Sequence, residues 1–134
     1  MAQLLTRTRT ALILIVEDDF ATGEVLALAI SQETSYRSRL VATGREALQF
    51  VQQVKPGLII LDYRLPDMTG VALYDQMQTN EALKMIPVVL MSAIDRSDEV
   101  ALRDITLINK PFDLDDFLTT IERLVAGCTT SHLP

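Results

Sequence analysis

Four short runs of mainly branched apolar residues, each ending abruptly in polar side chains, constrain this chain more than any other feature. Leu12 to Val16 runs into Glu17 and Asp18, and Leu58 to Leu61 runs into Asp62. Val88 to Met91 runs into Ser92, and Ile105 to Asn109 runs into Lys110. Runs of this length and composition read as strands of a parallel sheet buried on both faces. Parallel strands present their carboxyl ends at one edge, where open α/β sheets bind ligands. Glu17, Asp18, Asp62, Ser92 and Lys110 are therefore expected to converge. Three carboxylates, a hydroxyl and an ammonium suit a divalent cation beside a phosphoryl group.

The stretches between the runs carry helical periodicity, so the chain reads as repeated βαβ units. The pattern predicts strands over 11–17, 36–41, 58–62, 88–92 and 105–109, the fourth opened by Pro87, which the start of a strand tolerates. Alternation of Arg37 and Arg39 with Tyr36, Ser38 and Leu40 marks the second as an edge strand. Helices are predicted over 20–32, 44–54 and 70–80, with a weakly signalled one within 95–103. A fifth opens at Asp113 and Asp116. In the first, Val25, Leu28 and Ala29 are expected on the buried face. Thr43 and Glu46 form a capping box for the second, and Pro56-Gly57 stops it. Phe117, Ile121, Leu124 and Val125 make the buried stripe of the last. Gly127 reads as its stop, which leaves 1–10 and 128–134 as tails around a single domain at 11–127. Right-handed crossovers with helices on both faces give a doubly wound, flavodoxin-like sheet of order 2-1-3-4-5.

Composition narrows the function. A chain of 134 residues can bury a core as one domain. Its net charge of −6 argues against direct nucleic-acid binding. The apolar runs are far below the ~18 residues needed to span a bilayer, and the first ten residues lack the apolar core of a signal peptide. Cys128 has no second cysteine to pair with, which fits a reducing, cytoplasmic setting.

The chemistry follows from charge. Three neighbouring carboxylates repel one another, and Mg²⁺ with its oxygen ligands relieves that conflict. A carboxylate at the centre can also act as a nucleophile toward phosphorus. The aspartyl-phosphate it forms needs a cation, an ammonium and a hydroxyl around the phosphoryl oxygens. Asp62, Lys110 and Ser92 are the candidates.

Ile15-Val16-Glu17-Asp18-Asp19, Leu61-Asp62-Tyr63-Arg64-Leu65-Pro66-Asp67-Met68-Thr69-Gly70, Met91-Ser92-Ala93 and Lys110-Pro111-Phe112 together resemble the receiver domains of two-component response regulators, from about Leu12 to Val125. The resemblance implies Asp62 as phosphoacceptor and Asp18 as a direct metal ligand. Glu17 would act largely through water, and the backbone carbonyl of Arg64 would complete the set. It implies Ser92, Ala93 and Lys110 around the phosphoryl group, and a cis peptide before Pro111. Arg64 and Ile94 would flank the path of a hydrolytic water. The implied partners are a sensor histidine kinase or a histidine phosphotransfer protein and a downstream protein, with homodimerisation left open. Such a domain promotes its own phosphorylation and dephosphorylation without being a turnover enzyme. With no effector domain in the sequence, it is expected to act by docking on another protein.

Two departures from that family stand out. Leu107 replaces the aromatic residue three positions before the Lys. The stretch between Ser92 and Lys110 is also shorter than the family norm by roughly one helical turn. The fourth helix is accordingly expected to be shortened or irregular. Partner binding would then use a surface around the first helix, or order and disorder of the fourth. Among rivals, a phosphatase of the haloacid-dehalogenase type needs Asp-x-Asp after the first strand, and nucleotide-binding glycine motifs are absent. The main alternative is a phosphorylation-independent interaction module.

Overall fold

A computed structural model describes residues 11–130, with side chains through Gly127. The expected tail at 1–10 and residues 131–134 lie outside the described residues. Five strands alternate with five helices: β1 (Leu12–Val16), α1 (Phe20–Glu33), β2 (Arg37–Val41), α2 (Gly44–Gln53), β3 (Leu58–Asp62), α3 (Gly70–Met77), β4 (Val88–Ser92), α4 (Ser97–Val100), β5 (Ile105–Asn109) and α5 (Leu114–Thr130). All strands are parallel in the order β2-β1-β3-β4-β5, the predicted topology.

Alternation within the strands splits the core into two layers. Leu14, Val16, Ile59, Leu61, Val88 and Leu90 pack with residues of α2 and α3. Ile13, Ile15, Leu58, Ile60, Val89 and Met91 pack with α1 and α5. Every side chain of β3 and β4 is buried, whereas β2 at the edge is half-exposed. The edge assignment from its arginines therefore holds.

Caps fix where the helices begin. The Thr43 hydroxyl accepts from the Glu46 amide at 3.0 Å, and Glu46 accepts from the Ala42 amide at 2.7 Å. This is the predicted box with its return bond displaced by one residue. Asp113 accepts from the amides of Asp115 and Asp116 at the start of α5. Phe117, Ile121 and Val125 form the buried stripe, with Leu124 partly buried.

Three helical expectations need correction. In α1 the buried face is Gly23, Leu26, Ala29 and Ile30, while Val25 and Leu28 are each 56% exposed. A Cβ at Gly23 would come within 2.7 Å of both Leu40 methyls, so the missing side chain lets this face close onto β2. α3 ends at Met77 and continues as turns, with the Thr79 hydroxyl bonded to the Gln76 carbonyl. Gly127 does not stop α5, which runs to Thr130, so the backbone of 128–130 is helical rather than tail. An interior Gly costs a helix only ~1 kcal/mol, less than the packing of a long amphipathic face supplies.

α4 is a single turn, as the shortened connection predicts. None of its residues is buried.

Candidate functional site

The carboxyl edge brings the expected residues together. β1 and β3 are neighbours, so Glu17 and Asp62 emerge side by side with Asp18. Carboxylate oxygens of the three lie within 4.8 Å of one another. Glu17 and Asp62 are buried at 3% and 8% exposure, while Asp18 is exposed. From the end of β5, Lys110 reaches across to bond Asp62 Oδ1 at 2.6 Å, with Glu17 Oε1 at 3.7 Å. The Lys110–Pro111 peptide is cis, as the resemblance implies.

The backbone holds these groups rigidly. The Glu17 amide bonds the Val41 carbonyl at 3.0 Å, and the Lys110 amide bonds the Ser92 carbonyl at 2.7 Å. The Tyr63 amide bonds the Met91 carbonyl at 2.9 Å, and Gly70 returns a 2.7 Å bond to the Tyr63 carbonyl. A Cβ at Gly70 would sit 2.7 Å from the Asp62 carbonyl oxygen, so only glycine admits this approach.

Asp67 ties the loop after β3 to the start of α2, accepting the amides of Gly44 and Arg45 at 2.9 Å each. Those two bonds hold its carboxyl below the usual value. The position favours an anion, because helix amides point outward there.

The electrostatics are frustrated. Burial pushes the Glu17 carboxyl up, and the charges of Asp62 and Asp18 push in the same direction. The Asp19 amide at 3.0 Å and the Lys110 charge work against it. Glu17 Oε1 is buried without a hydrogen-bond partner, because Lys110 at 3.7 Å is an ion-pair neighbour only. For Lys110, burial alone would lower the pKa. The bond to Asp62 and the charges of Asp62 and Glu17 outweigh it, so the net direction is upward and the ammonium is retained. At an effective dielectric of about 20, two carboxylates 4.8 Å apart repel by roughly 3.5 kcal/mol, less where solvent screens the exposed Asp18. One ammonium cannot neutralise three of them.

Asp62, Tyr63, Arg64, Ser92, Ala93, Ile94, Arg96 and Lys110 enclose a cavity of about 120 Å³. Ser92 is buried, and its Oγ accepts from the Ile94 amide at 3.1 Å. Arg64 and Ile94 both line the cavity. A larger open groove of about 650 Å³ runs beside Glu17 and Asp18 along β2, but neither Ser92 nor Lys110 reaches it. Asp62, Ser92 and Lys110 share the smaller cavity, while Glu17 and Asp18 line the groove beside it.

Comparison with known proteins decides the family. The response regulator receiver domain model matches residues 13–122. The chain belongs to the response regulator receiver domain family. Sporulation initiation phosphotransferase F of Bacillus subtilis is 29% identical over 115 residues, covering 83% of this chain and 90% of that protein. Regulatory protein AtoC of Escherichia coli is 30% identical over 115 residues, but the chain spans only 24% of its length. The solved receiver domain of a signal transduction histidine kinase from Syntrophus aciditrophicus has 32% identity and a TM-score of 0.79, covering 88% of this chain and 92% of that one. Among the described residues, no helix of this receiver is long and apolar enough to cross a membrane.

Sequence reading missed a three-residue contact beside the cavity, of which Tyr63 and Arg96 line it. Tyr63, Arg96 and Glu99 meet there, with the Arg96 guanidinium 3.8 Å from the Tyr63 ring centroid. Tyr63 and Arg96 lie next to or near motif residues, but their contact joins two loops and leaves no local signal.

Proposed function

We propose that Asp62 accepts a phosphoryl group from a phosphohistidine of a sensor histidine kinase or histidine phosphotransfer protein. The observation that carries this reading is the buried Asp62 carboxylate, engaged by Lys110 at 2.6 Å and open to a cavity that Ser92 also lines. A carboxylate oxygen of Asp62 attacks phosphorus and the O–P bond forms. The P–N bond of the donor breaks, and its electron pair returns to the imidazole nitrogen. Lys110 stays charged throughout and bonds a phosphoryl oxygen as charge builds there. Ser92 already accepts the Ile94 amide, which leaves its hydroxyl proton for another phosphoryl oxygen. Ala93 leaves space at the cavity wall.

The donor set fits Mg²⁺. Three carboxylates of hard oxygen type converge within 4.8 Å, and one of their buried oxygens, Glu17 Oε1, has no hydrogen-bond partner. Glu17, Asp18, Asp62 and the Arg64 carbonyl would hold the ion, Glu17 largely through water. When bound, the ion neutralises charge on the transferring phosphoryl oxygens. The receiver then acts by docking on a downstream protein, in a cytoplasmic setting. Its chemistry is its own phosphorylation and dephosphorylation rather than turnover of a substrate.

Acetyl phosphate with Mg²⁺ tests this reading by intact mass. One phosphoryl group should add to the wild type, and none to Asp62→Asn or to wild type in excess chelator. Labelling that persists in either control contradicts the assignment. A wild type that takes no label points to the phosphorylation-independent module.

A further inference from the structure

We propose that Arg96 is a phosphoryl-binding residue, parked on Tyr63 and Glu99 until a phosphoryl group on Asp62 draws it inward and frees the α4 turn. The inference rests on Asp62 being the phosphoacceptor. Arg96 lines the same cavity as Asp62, Ser92 and Lys110. Its guanidinium lies over the ring of Tyr63, the residue next to Asp62. One terminal nitrogen bonds Glu99 Oε1 at 3.3 Å, and the Tyr63 hydroxyl donates to Glu99 Oε2 at 3.3 Å. Both bonds lie beyond the usual range. The Nε of Arg96 is buried with no partner at all. This guanidinium is held near the cavity by contacts that satisfy it poorly.

Phosphorylation changes that balance. In the unphosphorylated cavity, Lys110 is the ammonium that faces Asp62. A phosphoryl group brings a charge near −2 and three strong acceptors, by analogy with other phosphorylated side chains. A guanidinium answers that demand with a planar fork of donors matched to phosphate oxygens. The unpaired Nε gains an acceptor, and the group exchanges long bonds for charge-assisted ones. Arg96 is the residue immediately before α4, and Glu99 lies within that turn. Moving the guanidinium inward removes the Arg96–Glu99 ion pair from the turn and uncovers the face of Tyr63. The cavity and the α4 turn are thus coupled through one side chain.

The test uses the full chain with beryllofluoride and Mg²⁺ as phosphoryl mimic. Binding is measured by calorimetry, and the Arg96 Nε–H signal is followed by NMR. Arg96→Ala should weaken binding by about tenfold to a hundredfold, the loss expected for a hydrogen bond to a charged group. Arg96→Lys, which keeps the charge without the fork, should fall between. Glu99→Gln, which loosens the parked state, should tighten binding, and the Arg96 Nε–H signal should shift on addition of the mimic. Unchanged affinity in Arg96→Ala or an unmoved Nε–H signal in wild type overturns the proposal. Labelling by acetyl phosphate in the same samples separates the two levels. A wild type that takes label while Arg96→Ala binds beryllofluoride equally well removes Arg96 alone. A wild type that neither takes label nor binds the mimic removes the Asp62 reading and this proposal with it.

Discussion

Asp62 ends a strand in which every side chain is buried, the inner wall of the site, whereas the outer segment, Ala93 to Asp104, of which Ala93, Ile94 and Arg96 reach the cavity, contains one helical turn and no buried residue. The inner wall is held by burial, each enclosed Leu or Ile contributing about 1.5–3 kcal/mol. The outer segment is held by polar ties and by Val100, partly buried against the core. Arg103 grips Asp75 through two bonds of 2.9 and 2.8 Å, and the Asp104 amide donates to the Tyr74 hydroxyl at 3.2 Å. Leu102, at 98% exposure, adds almost nothing. Burial supplies a fixed geometry for a reacting carboxylate, while exposed polar ties exchange partners at little cost. On this reading the proposed chemistry lies on the stiff wall and the proposed response on the loose segment.

The inner wall is most vulnerable at Gly70. A methyl there would press on the Asp62 carbonyl, which is backbone and cannot swing aside, and on Leu90. Gly70→Ala should cost about 1–3 kcal/mol in urea unfolding, the range for overpacking, and slow labelling of Asp62. An unchanged midpoint would mean that the inner wall yields.

A smaller effect is expected in the outer segment. The hydrogen bond from Arg103 holds the Asp75 carboxyl below its ordinary value of 3.8. A lowered folded pKa means that the tie stabilises above the unfolded value and is lost as pH falls through the folded one. The grip on the segment after α4 should therefore loosen only below about pH 4. An NMR titration of the Asp75 carboxyl should show a midpoint under 3.8 that returns toward it in Arg103→Ala. A midpoint unmoved by that substitution would dissolve the tie.

Sequence reading succeeded where the determinants are local. Runs such as Leu58 to Leu61 specify buried strands, and their polar ends placed Glu17, Asp62, Ser92 and Lys110 at one edge. The short α4 was legible from the Ser92–Lys110 spacing once set against the norm of the resembled family. It failed in α1, where Val25 to Ile30 is apolar all round and periodicity alone does not pick a face; Gly23 meets Leu40 on the side that is buried. Gly127 misled because a glycine marks a stop only when the chain turns there. The Tyr63–Arg96–Glu99 contact was invisible because two loops must first be folded together.

Amide hydrogen exchange before and after phosphorylation distinguishes the stiff wall from the loose segment. Protection in β1, β3 and β4 should stay constant, while residues 95–104 change in wild type and not in Asp62→Asn. Exchange that shifts in the strands while 95–104 remains unaltered would contradict the account.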